Sequence, residues 1–541
     1  MIKTRKTLKN AFLHEYGQRS IVQATELRAT ELQPNEEQPK EVKPTEVQPT
    51  EVQPTEVQVR RVQKNEAQNN FACLVLEDGT CFSGSSCGAP GELVGDIRFN
   101  TAMIGYLEII SDPAYAGTIL VMTYPQVGNY GVALADIESD KAALRGLVVR
   151  DMCRTPSSFR SNASLSEYLR GQGIVALAGI DTRALFQHVQ GCGSMRAILS
   201  TEEKDPAALL EKLRVYDGSG DEKLADERLA DEKRAEEKLV EEVSCKKAWT
   251  LDPKHILVSQ VSWQASYPVP SYKVVAIDCG ITRSAMRHLT KAACSVTILP
   301  WNSSADEVKA YKPDGLYISG GPGNPRALVS TREMLAELLG QLPVLGVGLG
   351  HQLIALSAGG QTKRMKNAHD GNNHPVMDLR TRSVTVTSQH HQYSVVIDSL
   401  GSMVSEEYIN ETGVPVAQNA RFGRIQLSHI HVDDKSVEGL RFLDIPVLSV
   451  QFHPSFSPEA TAPHSLYVEF VRLMEDQRKA VSSAGASVAA SAPASAATSA
   501  ATSTSVCACA SAATSASVRA GASAAADIEK DYCSGTEAEN A

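Results

Sequence analysis

The sequence predicts an α/β protein: a mixed α/β N-terminal domain, then a second domain whose mostly parallel sheet is flanked by helices, between two disordered tails. Three observations predict it. Through the second half of the chain, apolar runs of strand length alternate with segments of helical period. At residues 342–360, LPVLGVGLGHQLIALSAGG, the pattern changes from a buried strand (343–347) to a helix (349–357) at one Gly346-Val347-Gly348-Leu349-Gly350 turn. The two ends of the chain show neither pattern.

Residues 31–58 are built on a Pro-Thr-Glu-Val-Gln repeat with regular prolines and no aromatic residue, so they cannot bury enough surface to order themselves. Residues 481–526 are nearly all Ala, Ser, Thr and Val. The 541 residues therefore divide into an N-terminal extension (1–68), a first domain (69–200), a linker (201–270), a second domain (271–478) and a C-terminal tail (479–541). The net charge of −10 is spread over linker and tails, leaving no basic stripe for nucleic acid. No apolar run reaches the roughly 18 residues that a membrane span needs. The opening MIKTRKTLKNAFLHEYGQRS is basic enough to raise an organelle transit peptide as the alternative to a cytoplasmic protein, but it runs directly into the acidic repeat.

Eleven cysteines are scattered without a Cys-x-x-Cys pair, and Cys507-Ala508-Cys509 lies in the tail, so free thiols in a reducing compartment are expected. His429-Ile430-His431 would share one face of a strand. With no third clustered ligand the pair reads as ordinary polar side chains, and no metal is expected.

In the first domain, ACLVLEDGTCFSG alternates around an Asp-Gly turn and predicts a β-hairpin. GLVVRDM and GIVALAGI predict buried strands; SLSEYLR and TRALFQHV predict helices. Residues 221–242, DEKLADERLADEKRAEEKLVEE, are near-copies rich in helix formers and in both charges, predicting a solvated helix or charged spacer. In the second domain, a buried strand at 272–278 is followed by SVTILPW, GLYISGGPGNP, PVLGVG, a β-rich stretch through VTVTSQHH, and VLSVQFHPS. Such alternation puts a site at the carboxyl ends of parallel strands. The glycine-flanked turn at 346–350 is an elbow of the kind that presents a nucleophile at a helix N-terminus. Its middle residue, Gly348, has no side chain.

The first domain carries Phe99-Asn100-Thr101-Ala102-Met103-Ile104-Gly105-Tyr106-Leu107-Glu108, Ser111-Asp112-Pro113-Ala114-Tyr115, Thr123-Tyr124-Pro125, Gly128-Asn129 and Ile180-Asp181-Thr182-Arg183. Singly these are turn and cap residues. Together and in this order they resemble the N-terminal domain of the carbamoyl phosphate synthetase small subunit. The second domain resembles the class I glutamine amidotransferases, whose elbow in that subunit reads Gly-x-Cys-x-Gly-His-Gln, with His351 and Gln352 continuing the match.

What the resemblance implies is specific. The family hydrolyses glutamine with the elbow cysteine, and the ammonia, with bicarbonate and two ATP, gives carbamoyl phosphate for arginine and pyrimidine synthesis. ATP and Mg would sit on a separate large subunit, the expected partner, and this chain would carry no cofactor. His453, in Val450-Gln451-Phe452-His453-Pro454, matches the general base. Ser455 stands where a glutamate orients that histidine. The backbone N–H groups of Gly321 and Leu349 match the oxyanion hole. Gly321, Gly323, Leu349, Gln352 and Tyr393 match the glutamine pocket, while His390 replaces an Asn, Gln392 a Gly and Ala114 a Ser at positions contacting glutamine. Asn373-His374-Pro375, likewise family-like, reads as structural.

Glycine supplies neither sulfur nor oxygen, so no acyl-enzyme can form at Gly348. With Ser455, His390 and Ala114, four departures fall on one site, which predicts a subunit of this type whose own glutaminase is lost. Two rival readings are a non-enzymatic regulatory or binding module derived from that subunit, and a glutaminase using a displaced nucleophile. Cys279, at the end of the first strand, is the nearest candidate for the latter and reads as core packing.

Overall fold

The turn at residues 77–80 sets the first domain going. Gly79 adopts φ +89°, a left-handed conformation that glycine takes without steric cost. The chain thus reverses between strands Phe71–Leu76 and Cys81–Ser86, which pair antiparallel with Val75 opposite Cys81. The structure is a computed structural model that describes residues 71–216, 225–252, 269–403, 414–454 and 464–490. The Pro-Thr-Glu-Val-Gln repeat, Ser455, Cys507 and Cys509 lie outside the described residues.

Strands Glu92–Asn100, Thr118–Met122, Gly146–Val149, Val175–Ala178 and Arg196–Ser200 join the hairpin in a closed seven-stranded barrel. Closure leaves no open sheet edge. The helices expected from SLSEYLR and TRALFQHV are Leu165–Gly171 and Thr182–Cys192. Ser164 caps the first reciprocally: its hydroxyl accepts from the Glu167 N–H, and the Glu167 carboxylate accepts from the Ser164 N–H at 2.9 Å. Ser164→Ala is expected to cost about 1 kcal/mol, read as a lower urea midpoint at unchanged slope.

The linker is more structured than a spacer. Helix Pro206–Tyr216 buries Leu209 and Leu213 against Cys73, Val75 and Ile198 of the barrel. The charged repeat forms helix Ala225–Val243, but its end is packed rather than solvated: Val240 is buried in the core of the second domain. Leu239 lies against the first domain, 2.5 Å from where a Cβ on Gly117 would stand. The apolar Leu239-Val240 pair interrupts the charged pattern, and that break is what docks the helix between the domains.

In the second domain, strands Cys294–Pro300, Tyr272–Asp278, Gly315–Ile318, Val344–Val347 and Val447–Val450 lie side by side and parallel. The sheet continues antiparallel through Val437–Phe442, Gly423–His431, Gln361–Asp378 and Val384–Val396. One face is covered by helices Ala305–Ala310, Val329–Leu338 and Leu349–Ser357. The other is covered by Arg283–Lys291 and Ser465–Ala490. That last helix runs past the expected domain end at Arg478, as an alanine-rich continuation readily does. Among the described residues no helix is long and apolar enough to cross a membrane.

The two domains are pinned by buried charge. Arg98 donates Nε to Asp370 Oδ2 at 2.8 Å and pairs its second nitrogen with Oδ1. Glu138 accepts the Ser284 N–H at 2.8 Å and pairs with Arg287 at 3.2 Å. These contacts carry the 112–115 turn of the first domain onto the carboxyl ends of the parallel strands.

Candidate functional site

The elbow forms where predicted, with strand Val344–Val347 entering and helix Leu349–Ser357 leaving. Gly348 sits between them at φ 57°, ψ −113°, held by its N–H to the Val450 carbonyl at 2.9 Å. The flanking glycines are required by packing. A Cβ on Gly346 would stand 2.4 Å from Ile354 Cδ1, and one on Gly350 would stand 2.4 Å from the Ile318 carbonyl oxygen. Gly348 differs: a Cβ there would meet only Gly320 Cα at 3.4 Å and the Gln451 carbonyl at 3.9 Å. The position has room for a side chain, and its backbone is one that side chains rarely adopt except under the constraint of a functional turn.

Leu349 is the first residue of the helix, so its N–H is among those a helix leaves without an internal acceptor. Gly321 lies so close to Cys279 that a Cβ would be 2.0 Å from that residue's carbonyl oxygen. His453 is placed by its N–H to the Ser388 carbonyl at 3.0 Å. Its ring stands 3.6 Å, at Cε1, from a Cβ on Gly320, and a Cβ on Gly348 would stand 3.4 Å from the Cα of that same glycine, so the histidine and the elbow tip both border Gly320. Ser455 lies outside the described residues.

His390 and Ala114 belong to one cluster. Ala114 is buried in the short turn Pro113–Tyr115, where its N–H donates to Asp112 Oδ1 at 2.8 Å. The His390 ring reaches that turn: Nδ1 is 2.7 Å from the Tyr115 hydroxyl and Nε2 is 3.7 Å from Asp112 Oδ2. Its centroid is 5.0 Å from that of His453. Burial, with the nearby His453 and Arg98, holds the His390 pKa well below the ordinary range, so the ring is neutral near pH 7. The imidazole thus fills with a bulky ring the space between His453 and the first domain.

Other predicted pocket residues are committed elsewhere. Gln352 donates Nε2 to the Tyr393 carbonyl at 2.8 Å and to Gln451 Oε1 at 3.0 Å, which spends both its hydrogens inside the protein. Gln392 and Tyr393 are half-buried on strand Val384–Val396. Gly323, at φ +85°, faces an unforeseen neighbour: a Cβ there would lie 2.7 Å from Oε2 of Glu236. That carboxylate accepts the Asn324 N–H at 2.9 Å. The repeat helix therefore lays an acidic side chain over a loop assigned to glutamine. In sequence Glu236 is one glutamate among near-copies, and nothing marked it. In sequence, Asp112 and Tyr115 read only as turn residues.

Cys279 is fully buried in the core, and burial pushes its thiol pKa far up, away from the thiolate a nucleophile requires. His351 is fully buried and bonded at Nδ1 to Ser449 Oγ at 2.9 Å. Burial lowers its pKa to about 3. The unfolded chain binds this proton near pH 6.5 and the folded chain does not, so stability is present above that pH and is lost as pH falls toward 3. His351 alone should contribute up to about 1.4 kcal/mol per pH unit to that loss, and His351→Gln should flatten the slope of stability against pH by that amount.

As chemistry, the site offers backbone N–H groups at a helix N-terminus, the imidazole of His453 and an elbow whose tip has no side chain. Comparisons with known proteins agree with its architecture. Residues 74–199 match the family model described as carbamoyl-phosphate synthase small chain, CPSase domain, and residues 275–473 match glutamine amidotransferase class-I. The chain is 38% identical to the carbamoyl phosphate synthase small chain of Syntrophotalea carbinolica over 75% of its own length and 99% of the relative's. It is 36% identical to that of Bacillus caldolyticus, covering 75% and 97%. It is 35% identical to the pyrimidine-specific small chain of Bacillus subtilis, covering 75% and 96%.

Proposed function

Because the chain belongs to the carbamoyl phosphate synthase small-chain family, we propose that it serves as the amidotransferase-type subunit of such a synthase without hydrolysing glutamine itself. One observation carries the reading: the elbow keeps its shape while Gly348 at its tip has no atom that can attack an amide. A thiolate at a helix N-terminus beside a histidine is a strong nucleophile, and losing the nucleophile in a well-studied hydrolase costs roughly a millionfold in turnover. Glu236 over Gly323, and the burial of Cys279, support the same conclusion.

In this role the chain docks through its barrel domain on a separate large subunit that binds ATP and Mg, holds it in its active form and guards ammonia entry. Free ammonia is then the nitrogen source for carbamoyl phosphate, which feeds arginine and pyrimidine synthesis. The test is nitrogen-donor preference of the complex reconstituted with a large subunit. Ammonium should support carbamoyl phosphate formation and glutamine should not. Glutamine-driven synthesis with glutamate release, abolished by His453→Ala, would establish a working glutaminase instead. Failure to associate with any large subunit would favour a free-standing binding module.

A further inference from the structure

Behind the candidate site lie three buried side chains with no part in the chemistry above: His369, His391 and Glu438, whose side chains are 10%, 5% and 0% exposed. Each is anchored on its outer side. His391 Nδ1 lies 2.9 Å from the Tyr393 carbonyl; a carbonyl only accepts, so Nδ1 carries the hydrogen and Nε2 is a bare lone pair. His369 Nε2 is 3.2 Å from the Asp434 carboxylate. Glu438 Oε2 accepts from Gln389 Nε2 at 2.7 Å.

On the inner side Glu438 Oε1 accepts only a long bond from Ser436 Oγ at 3.4 Å, and the two histidines have no partner there. His369 Nδ1 and His391 Nε2 are buried without a hydrogen-bond partner, and both face Glu438 Oε1, at 3.8 and 3.7 Å. Buried polar atoms left unpaired are costly. Here, moreover, a lone pair of His391 confronts a carboxylate oxygen with no hydrogen between them.

We propose that these three side chains bind a divalent cation of the zinc class, with His369 Nδ1, His391 Nε2 and Glu438 Oε1 as ligands. The spacing fits. The three ligand atoms all lie within 4.8 Å of one another, so a point equidistant from them is no more than about 2.5 Å from each. Zinc bonds of about 2.0 to 2.2 Å need only a small contraction, whereas a water at about 2.8 Å must leave the plane of the three atoms. The donor set of two imidazoles and one carboxylate suits zinc. The outer hydrogen bonds are those that orient ligating histidines and carboxylates in metal sites. A proton on His369 is not an equivalent solution, because it reaches Asp434 and Glu438 but leaves His391 Nε2 facing an acceptor. The ion would tie the hairpin of Gln361–Asp378 and Val384–Val396 to strand Val437–Phe442, and so fix His390 and Tyr393 in the candidate site.

This is not the His429-Ile430-His431 pair weighed from sequence. Bulges on either side of His429 send its ring against Phe452, while His431 stacks on His369 with centroids 4.2 Å apart. The full-length protein, purified without a metal-affinity column and passed through gel filtration, should retain about one zinc per chain by elemental analysis. Protein grown in cobalt should show the visible absorption of a low-coordinate cobalt(II) site. A strong chelator should lower Tm, and Glu438→Gln should lose both the metal and the cobalt spectrum. His391→Ala should do the same, and if it does not fold, Glu438→Gln and the wild-type metal content decide. Less than about a tenth of an equivalent of any first-row metal, with Tm unmoved by chelator or added zinc, would overturn the proposal and leave a water or a proton in the cluster.

Discussion

Gly348→Cys is expected to fold, to react covalently at residue 348 with a glutamine-mimicking affinity label, and still to release glutamate from glutamine far more slowly than an intact enzyme of this family. Folding is expected because a Cβ at this position meets nothing closer than 3.4 Å. The cost is backbone strain: at φ 57°, ψ −113° a side chain should destabilise the protein by about 1–3 kcal/mol. Labelling is expected because the new thiol sits at the N-cap of helix Leu349–Ser357, and both it and the His453 ring border Gly320, a setting in which thiolate formation is favoured. The unsubstituted protein should not be labelled in this pocket at all.

Slow turnover follows from what the single change leaves in place. His390 still fills the space between His453 and the 112–115 turn, Ala114 still offers no hydroxyl, and Ser455 is still not a carboxylate. A hydroxyl orients a histidine less firmly than a carboxylate and does not stabilise the imidazolium that forms during attack. Glu236 still covers Gly323, so Gly348→Cys/Glu236→Ala should label faster than the single variant. Glutamate release by Gly348→Cys at the rate of an intact relative would show these other departures to be harmless and would refute a decayed site.

Much of this was legible in the chain. The elbow helix was bounded correctly at 349–357 because the change of period and the flanking glycines are local signals, and the glycines are now explained by approaches of 2.4 Å. Barrel closure was not legible, since alternation reports which face of a strand is buried but not which strands become neighbours. The clustering of Asp112, Tyr115 and His390 was hidden for a related reason: 275 residues separate Tyr115 from His390, and only the docking of the two domains brings them within hydrogen-bond reach. Glu236 was hidden by its repeat. The buried histidine and glutamate group is hidden because its members come from three strands well apart in sequence, and no local pattern joins them.

Arg98→Ala should destabilise the protein by about 3–5 kcal/mol, the largest stability effect expected of a residue outside either hydrophobic core. Arg98 is 6% exposed and the Asp370 side chain 4%, so removal of the guanidinium strands a carboxylate that water cannot reach. The two parallel bonds to Asp370 are charge-assisted. The guanidinium also lies over the Tyr115 ring at 5.4 Å, and that residue's hydroxyl joins Asn100 to His390. One deletion therefore loosens both the domain junction and the turn that meets the candidate site. Arg98→Lys should recover only part of the loss, because an ammonium cannot reproduce the paired geometry. Asp370→Asn alone should also destabilise, leaving a buried cation short of its counter-charge. Arg98→Met/Asp370→Leu should cost clearly less than the two single variants added together, since neither charge is then stranded. Urea midpoints at unchanged slope measure all four. If Arg98→Ala and Asp370→Asn each cost under about 1 kcal/mol, the pair behaves as a solvated surface bridge, and the junction must be held by its apolar contacts and the Glu138 bonds instead.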